Sequence, residues 1–195
     1  MPERRVVGTN GVRLASVFCP ECIQVIDGKP NKQAVLEQLV RSLADARLLT
    51  HTEVTKLANT LMERESHGTT ALGKGLAIPH LRTEAVYRFV GAVGLAPTGV
   101  DFLSLDGAPT KLIFLVLAPY EQREQQFELM GRLSALMRDK SMLMFLQGRR
   151  TPREVYEYLQ DLDARASESP QTATVLSTTR TTAIHGSAEL TSGRG

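Results

Sequence analysis

A chain of 195 residues has room for one domain of ordinary size plus tails, so a single core is expected. With 42% apolar and 23% charged residues it has the composition of a soluble globular protein, and a net charge of +2 is too small to argue for a nucleic-acid or membrane surface. The longest apolar run, Leu112 to Ala118, is far short of a membrane span, and no apolar segment follows the charged Met1 to Asn10. No signal peptide and no membrane insertion are expected, and the location is expected to be cytoplasmic.

Residues 1–17 predict an irregular, basic lead-in. Cys19-Pro20-Glu21-Cys22 comes next. This spacing suits a redox pair or half of a zinc site, but zinc needs two further ligands and there is no second cysteine pair, so no metal is expected. A redox pair usually opens a helix after a strand, and Val12 to Phe18 is only weakly strand-like. The pair reads as a short turn with two half-buried thiols, with a thiol-based sensor as a minor functional reading.

Ile23 to Ile26 predicts a short strand closed by the turn signal Asp27-Gly28. Two helices follow. The first is capped by Asn31 and places Val35, Leu36, Leu39, Val40 and Leu43 on one face. The second opens at Thr50 with Glu53 completing a capping box, carries Val54, Leu57, Ala58, Leu61 and Met62, and has Arg64 in its last turn.

The segment from Arg64 to His80 is the most informative in the chain. Gly68, Gly73 and Gly75 are close enough together for their backbone N–H groups to converge on an anion. The apolar Leu76-Ala77-Ile78 then delivers Pro79-His80 on a rigid support. Gly68 to Lys74 matches seven positions of a P-loop, but Gly75 replaces the Ser or Thr that holds magnesium and no buried strand precedes it. A nucleotide triphosphatase is therefore not expected; an anion cradle is.

Val86 to Ala96 alternates as a strand, with Gly91 and Gly94 allowing close packing, and two turn signals lie between Gly99 and Gly107. Leu112 to Ala118 predicts a central strand covered on both faces, ended by Pro119. Glu121 to Lys140 predicts a long helix with Phe127, Leu129, Met130, Leu133, Leu136 and Met137 on a wide core stripe. A short helix is expected from Ser141 to Leu146. Thr151, Pro152 and Glu154 then start a final helix that runs to about Leu162. Twelve of the thirty residues from Ala166 onward are Ser or Thr and none is aromatic, so residues 166–195 are expected to be a disordered tail. Residues 18–163 form the domain: α/β, a small mixed β-sheet flanked by helices on both sides.

Four histidines are present. His185 lies in the tail and His51 near a helix start, whereas His67 and His80 flank the glycine-rich segment. A histidine taken alone is more often structural. For His80, the apolar support, Arg64 nearby and the glycine turn between them favour chemistry. A neutral imidazole attacks phosphorus without first losing a proton, and phosphoryl transfer mainly needs positioning and charge neutralisation. His80 is thus the expected phosphoryl acceptor, with Arg64 and backbone N–H groups around it and no cofactor.

The string Arg64-Glu65-x-x-Gly68-x-Thr70-x-x-Gly73-x-Gly75-x-Ala77-Ile78-Pro79-His80 resembles the active-site signature of the type-2 enzyme IIA domains of the phosphoenolpyruvate-dependent phosphotransferase system, the fructose/mannitol and nitrogen-regulatory group. The resemblance continues through Gly99-Val100-Asp101-Phe102-x-x-Leu105-Asp106-Gly107-x-Pro109 and Leu117-Ala118-Pro119 into the helix from Leu129 to Asp139, and covers about Ile23 to Leu159. It implies that His80 accepts a phosphoryl group on Nε2 from the phosphohistidine of the carrier HPr or its nitrogen-branch relative. It further implies that Arg64 lies beside that site and that the phosphoryl group passes to a IIB cysteine or reports to regulatory partners. Gly68, Thr70, Gly73 and Gly75 are the expected phosphate-binding positions.

Two positions depart from the family pattern. Where a second histidine usually stands, this chain has Gln126, which can donate an amide hydrogen bond but carries no charge or proton. His67 is a possible spatial substitute. Leu81 replaces the small residue that often follows the acceptor, and is a candidate for the docking rim. With no attached IIB domain or membrane segment, the expectation leans to the nitrogen-regulatory branch. The alternatives are a sugar-specific IIA component and a non-catalytic interaction module that lost efficient transfer.

Overall fold

The computed structural model describes residues 11–136 and 151–168, together with 138, 140, 143, 144 and 148 between them. A six-stranded mixed sheet carries helices on both faces, as the sequence pattern predicts. Its strands are β1 (Phe18–Val25), β2 (Ala71–Gly73), β3 (Leu76–Ala77), β4 (His80–Arg82), β5 (Val90–Val100) and β6 (Thr110–Ala118). They lie in the order β1-β5-β6-β3-β2, and β4 continues along β6 beyond β3. β5 and β6 are antiparallel, whereas β1 on β5 and β3 and β4 on β6 are parallel.

The apolar run in β6 is continuous because both of its faces are covered. Ile113, Leu115 and Leu117 pack with α2 (Lys32–Asp45) and α3 (Val54–Ser66). Leu112, Phe114, Val116 and Ala118 pack with α1 (Leu14–Val17), α4 (Arg123–Ala135) and α5 (Pro152–Glu168). One transverse row crosses the middle of the sheet: Phe18 pairs with Gly91, Gly91 with Val116, and Val116 with His80. A Cβ on Gly91 would come within 2.4 Å of the Phe18 ring and 2.8 Å of the Leu115 carbonyl oxygen, so only glycine fits that row.

Several elements differ from their sequence reading. The lead-in is not irregular up to Val17: Leu14–Val17 forms a helical turn docked on α5, because the buried Asp163 carboxylate accepts from the N–H groups of Leu14 (2.8 Å) and Ala15 (2.9 Å). The cysteine pair lies within β1, not in a turn before it. Strand β5 starts at Val90, later than expected, and continues past Pro97, which is tolerated because the ladder to β6 is irregular between Leu95 and Val100.

Asn31 caps α2 through Ala34 N–H at 2.8 Å, and Thr151 and Glu154 form the reciprocal box that opens α5. The box at Thr50 and Glu53 does not form. A 3₁₀ turn over His51–Glu53 intervenes, the Thr50 hydroxyl pairs with that of Thr52, and Glu53 turns to Lys56. Helix α4 is shorter than expected and buries Gln126, Leu129 and Leu133, leaving Phe127 70% exposed. Residues 1–10 of the lead-in, most of 137–150 and the tail from residue 169 lie outside the described residues.

Candidate functional site

Helix α3 turns an apolar stripe to the core at Val54, Leu57, Ala58 and Leu61, and the same spacing puts Glu65 on that face. A carboxylate buried there needs partners. Lys32 Nζ lies 3.1 Å from Glu65 Oε2, and the ammonium also sits 5.1 Å above the centre of the Phe102 ring. Thr70 supplies the remaining donors: its N–H reaches the two carboxylate oxygens at 3.2 and 3.3 Å, and its hydroxyl donates to Oε1.

This buried ion pair fixes His80 through the backbone. The Thr70 carbonyl accepts from Ile78 N–H at 3.1 Å, and the Ile78 carbonyl accepts from His80 Nδ1 at 2.9 Å. A carbonyl oxygen only accepts, so Nδ1 carries the proton and a neutral His80 presents a bare lone pair at Nε2. The ring is partly exposed at the start of β4.

Register determines what shares the imidazole's face. His80 is paired with Val116, which belongs to the α4 side of the sheet, and Leu81 with Leu117, on the α2–α3 side, against whose cluster Leu81 packs. Gln126, in the first turn of α4, is 8% exposed and lies on the inward stripe with Leu129 and Leu133. His80 and Gln126 are therefore on the same face. Arg64 is on α3, which packs on the other face; its Nη1 donates to the Gly68 carbonyl at 3.3 Å, and it has no carboxylate partner among the described residues. His67 is exposed at the end of α3, where its Nδ1 donates to the Glu63 carbonyl at 2.8 Å.

The glycine positions do not all converge on His80. Lys74 and Gly75 have φ of 53° and 75° and form the two-residue turn of the β2–β3 hairpin. That turn leads into the pairing of Leu76 with Leu112, about 13 Å before His80 along β6 at ~3.3 Å per residue. Its amide already has an anion, since Lys74 N–H donates to Asp106 Oδ2 at 2.7 Å. Asp106 also accepts from the Ser104 hydroxyl (2.7 Å) and Ala108 N–H (3.0 Å), and these donors, Lys74 first, pull its carboxyl down to about 2. Gly73 and Gly75 thus serve the hairpin rather than an anion at His80, and Thr70 is bound to Glu65 instead of offering a free hydroxyl. Gly68 remains beside Arg64.

Sequence reasoning missed Lys32 and Glu65. The signal was present in the stripe spacing that points Glu65 inward. Beyond His80, an open groove of about 1200 Å³ is lined by Leu81, Arg82 and Thr83, by Leu57 and Thr60 of α3, and by Tyr120. Tyr120 is 52% exposed. Among the described residues there is no group of three or more His, Cys, Asp or Glu able to hold a metal ion, and no helix is long and apolar enough to cross a membrane.

The mixed sheet that carries His80, with a glycine hairpin before it and a helix after the central strand, is shared with solved type-2 IIA proteins. The solved structure of the nitrogen regulatory protein IIA-Ntr from Neisseria meningitidis superposes with a TM-score of 0.65 at 29% identity, covering 74% of this chain and 97% of that one. The family model described as "Phosphoenolpyruvate-dependent sugar phosphotransferase system, EIIA 2" matches residues 16–162, and the chain belongs to that family of phosphotransferase components. Among its relatives, the nitrogen regulatory protein of Bradyrhizobium diazoefficiens is 30% identical over 75% of this chain and 94% of its own length. The fructose-specific EIIABC component of Bacillus subtilis is 36% identical over 65% of this chain but only 20% of its own length. At 20% identity and a TM-score of 0.59, the mannitol IIA of Escherichia coli, solved in complex with phosphorylated IIB, shares the fold.

Proposed function

We propose that this protein is a cytoplasmic phosphocarrier of the nitrogen-regulatory type that accepts a phosphoryl group on Nε2 of His80 from the phosphohistidine of an HPr-like carrier. The observation that carries this reading is the bond from His80 Nδ1 to the Ile78 carbonyl, which leaves Nε2 as the nucleophile. In the transfer, an N–P bond forms at Nε2 as the carrier's N–P bond breaks. No proton has to leave Nε2. The proton stays on Nδ1, whose hydrogen bond to the Ile78 carbonyl orients the ring throughout.

Charge neutralisation falls to Arg64, which, coming from the α3 side, has to leave the Gly68 carbonyl and reach round the edge of the sheet at β4 to the phosphoryl oxygens, while the Gln126 amide donates a further hydrogen bond from the α4 side. The exposed Tyr120 and Phe127, on either side of the start of α4, provide an apolar rim for the carrier. The phosphoryl group then passes to a IIB cysteine or reports phosphorylation state to regulatory partners. The nitrogen-regulatory assignment is supported by relatives matched over nearly their whole length, such as that of Pseudomonas aeruginosa, 30% identical over 97% of its chain.

Gln126 favours a second reading, an interaction module without efficient transfer. The two separate on incubation with phosphorylated HPr. The carrier reading expects one added phosphoryl mass, acid-labile and base-stable, that is absent in His80→Ala. A folded wild type that stays unmodified while a competent IIA control is labelled leaves only the interaction module.

A further inference from the structure

The Cys19-Pro20-Glu21-Cys22 segment takes no part in the site on β4. It lies in β1, the strand at one edge of the sheet, where the ladder to β5 slips: Phe18 pairs with Gly91 and Ile23 already pairs with Val93. Four residues of β1 are thus set against a single residue of β5. The surplus chain bulges outward at Pro20 and Glu21, both exposed, and folds the two cysteines toward each other. Their sulfurs are 2.6 Å apart, less than an ångström beyond the ~2.05 Å of a disulfide bond.

The two thiols are not equivalent. Cys19 is partly exposed, whereas Cys22 is buried against α2, with the Ser42 carbonyl 4.0 Å from its sulfur. We propose that Cys19 and Cys22 form a reversible dithiol–disulfide site, with Cys19 the attacking and Cys22 the resolving thiol, that exchanges with low-molecular-weight disulfides of the glutathione class. The hydrogen bond between the sulfurs divides their acidities in the same sense. Cys22 holds the Cys19 thiol below its ordinary value against burial and the Glu21 carboxylate, while the same bond and burial push Cys22 up.

The exchange balances in two steps. The Cys19 thiolate attacks one sulfur of the small disulfide, forming a mixed disulfide and releasing one thiolate. Cys22 then gives its proton to solvent and attacks the Cys19 sulfur, closing the intramolecular bond and releasing the second thiolate. Two protein thiols are oxidised and one external disulfide is reduced to two thiols. Because the bulge already holds the sulfurs 2.6 Å apart, no strand of the sheet has to separate.

The test uses the full chain in glutathione buffers of graded ratio, read by intact mass and circular dichroism. The expected result is loss of two hydrogens from the wild type, reversed by dithiothreitol, with the sheet signal unchanged. Cys22→Ser traps one glutathione on Cys19, and Cys19→Ser traps none. Iodoacetamide modifies Cys19 at least about tenfold faster than Cys22 in the reduced chain. A folded wild type that keeps both thiols in a buffer that oxidises the urea-unfolded chain overturns the proposal, as do equal glutathione uptake by the two single variants and equal alkylation rates. His80→Ala leaves every one of these readouts unchanged, so failure here is distinct from failure of the phosphocarrier reading.

Discussion

Strands β3 and β4 run along the same neighbour, β6, yet the two ends of that line differ in what their polar groups are free to do. At the β3 end, the glycine turn gives its Lys74 amide to Asp106. At the β4 end, the His80 ring spends only Nδ1 on the backbone and keeps Nε2. Glycine richness beside a histidine therefore marks hairpin geometry first. Whether a donor serves a ligand depends on whether the fold already supplies its partner.

Changing the β4 end gives the largest expected effect. His80→Gln abolishes phosphoryl uptake from phospho-HPr while moving unfolding stability by less than about 1 kcal/mol, since only one half-exposed hydrogen bond changes. Intact-mass labelling and urea denaturation read the two quantities separately. Residual labelling at wild-type rate would move the acceptor away from β4.

Glu65→Ala strikes the support behind that end. It leaves the Lys32 ammonium buried without its partner and frees both Thr70 donors, so a loss of about 3 kcal/mol is expected. Slower phosphoryl uptake by the folded fraction is expected as well, because Thr70 positions Ile78 and Ile78 orients the ring. A stability loss with no change in the initial uptake rate would show that the backbone relay does not set the imidazole.

Gly91→Ala perturbs the row that holds His80 without touching its hydrogen bonds. The clash with Phe18 and the Leu115 carbonyl is expected to cost about 2 kcal/mol in urea titration, with uptake by the folded fraction unchanged. At the other end of the line, Gly75→Ala forces a side chain onto a φ of 75° and should cost about 1 kcal/mol. Its uptake rate should stay near that of the wild type. A drop comparable to that of His80→Gln would return the glycine turn to the site and erase the contrast between the two ends.

The smallest effect is a titration. The folded-state carboxyl of Asp106 lies at about 2, below its ordinary 3.8, so its hold on the turn is complete above the ordinary value and is lost as pH falls from there through 2. Protection of the Lys74 amide against exchange, taken relative to the intrinsic rate at each pH and followed by nuclear magnetic resonance, should fall across that window. A midpoint at the ordinary carboxylate value would mean that Asp106 does not grip the turn.

Much of this molecule is legible in the residue order because local physics suffices for it. The apolar period of α2, the box at Thr151 and Glu154, and the unbroken apolar run of β6 each specify an element from neighbouring residues alone. The string ending in Ile78-Pro79-His80 carries the family resemblance and, with it, the expected acceptor position. Burial partners are another matter, since they come from distant parts of the chain. Lys32 meets Glu65 across thirty-three positions and Lys74 meets Asp106 across thirty-two, and no short-range pattern encodes either meeting. The same applies to the cysteine pair, which becomes a bulge instead of a turn only because β1 must stay in register with β5. Local propensity names the candidates; long-range pairing assigns each donor and acceptor its partner, and with it the groups left free to react.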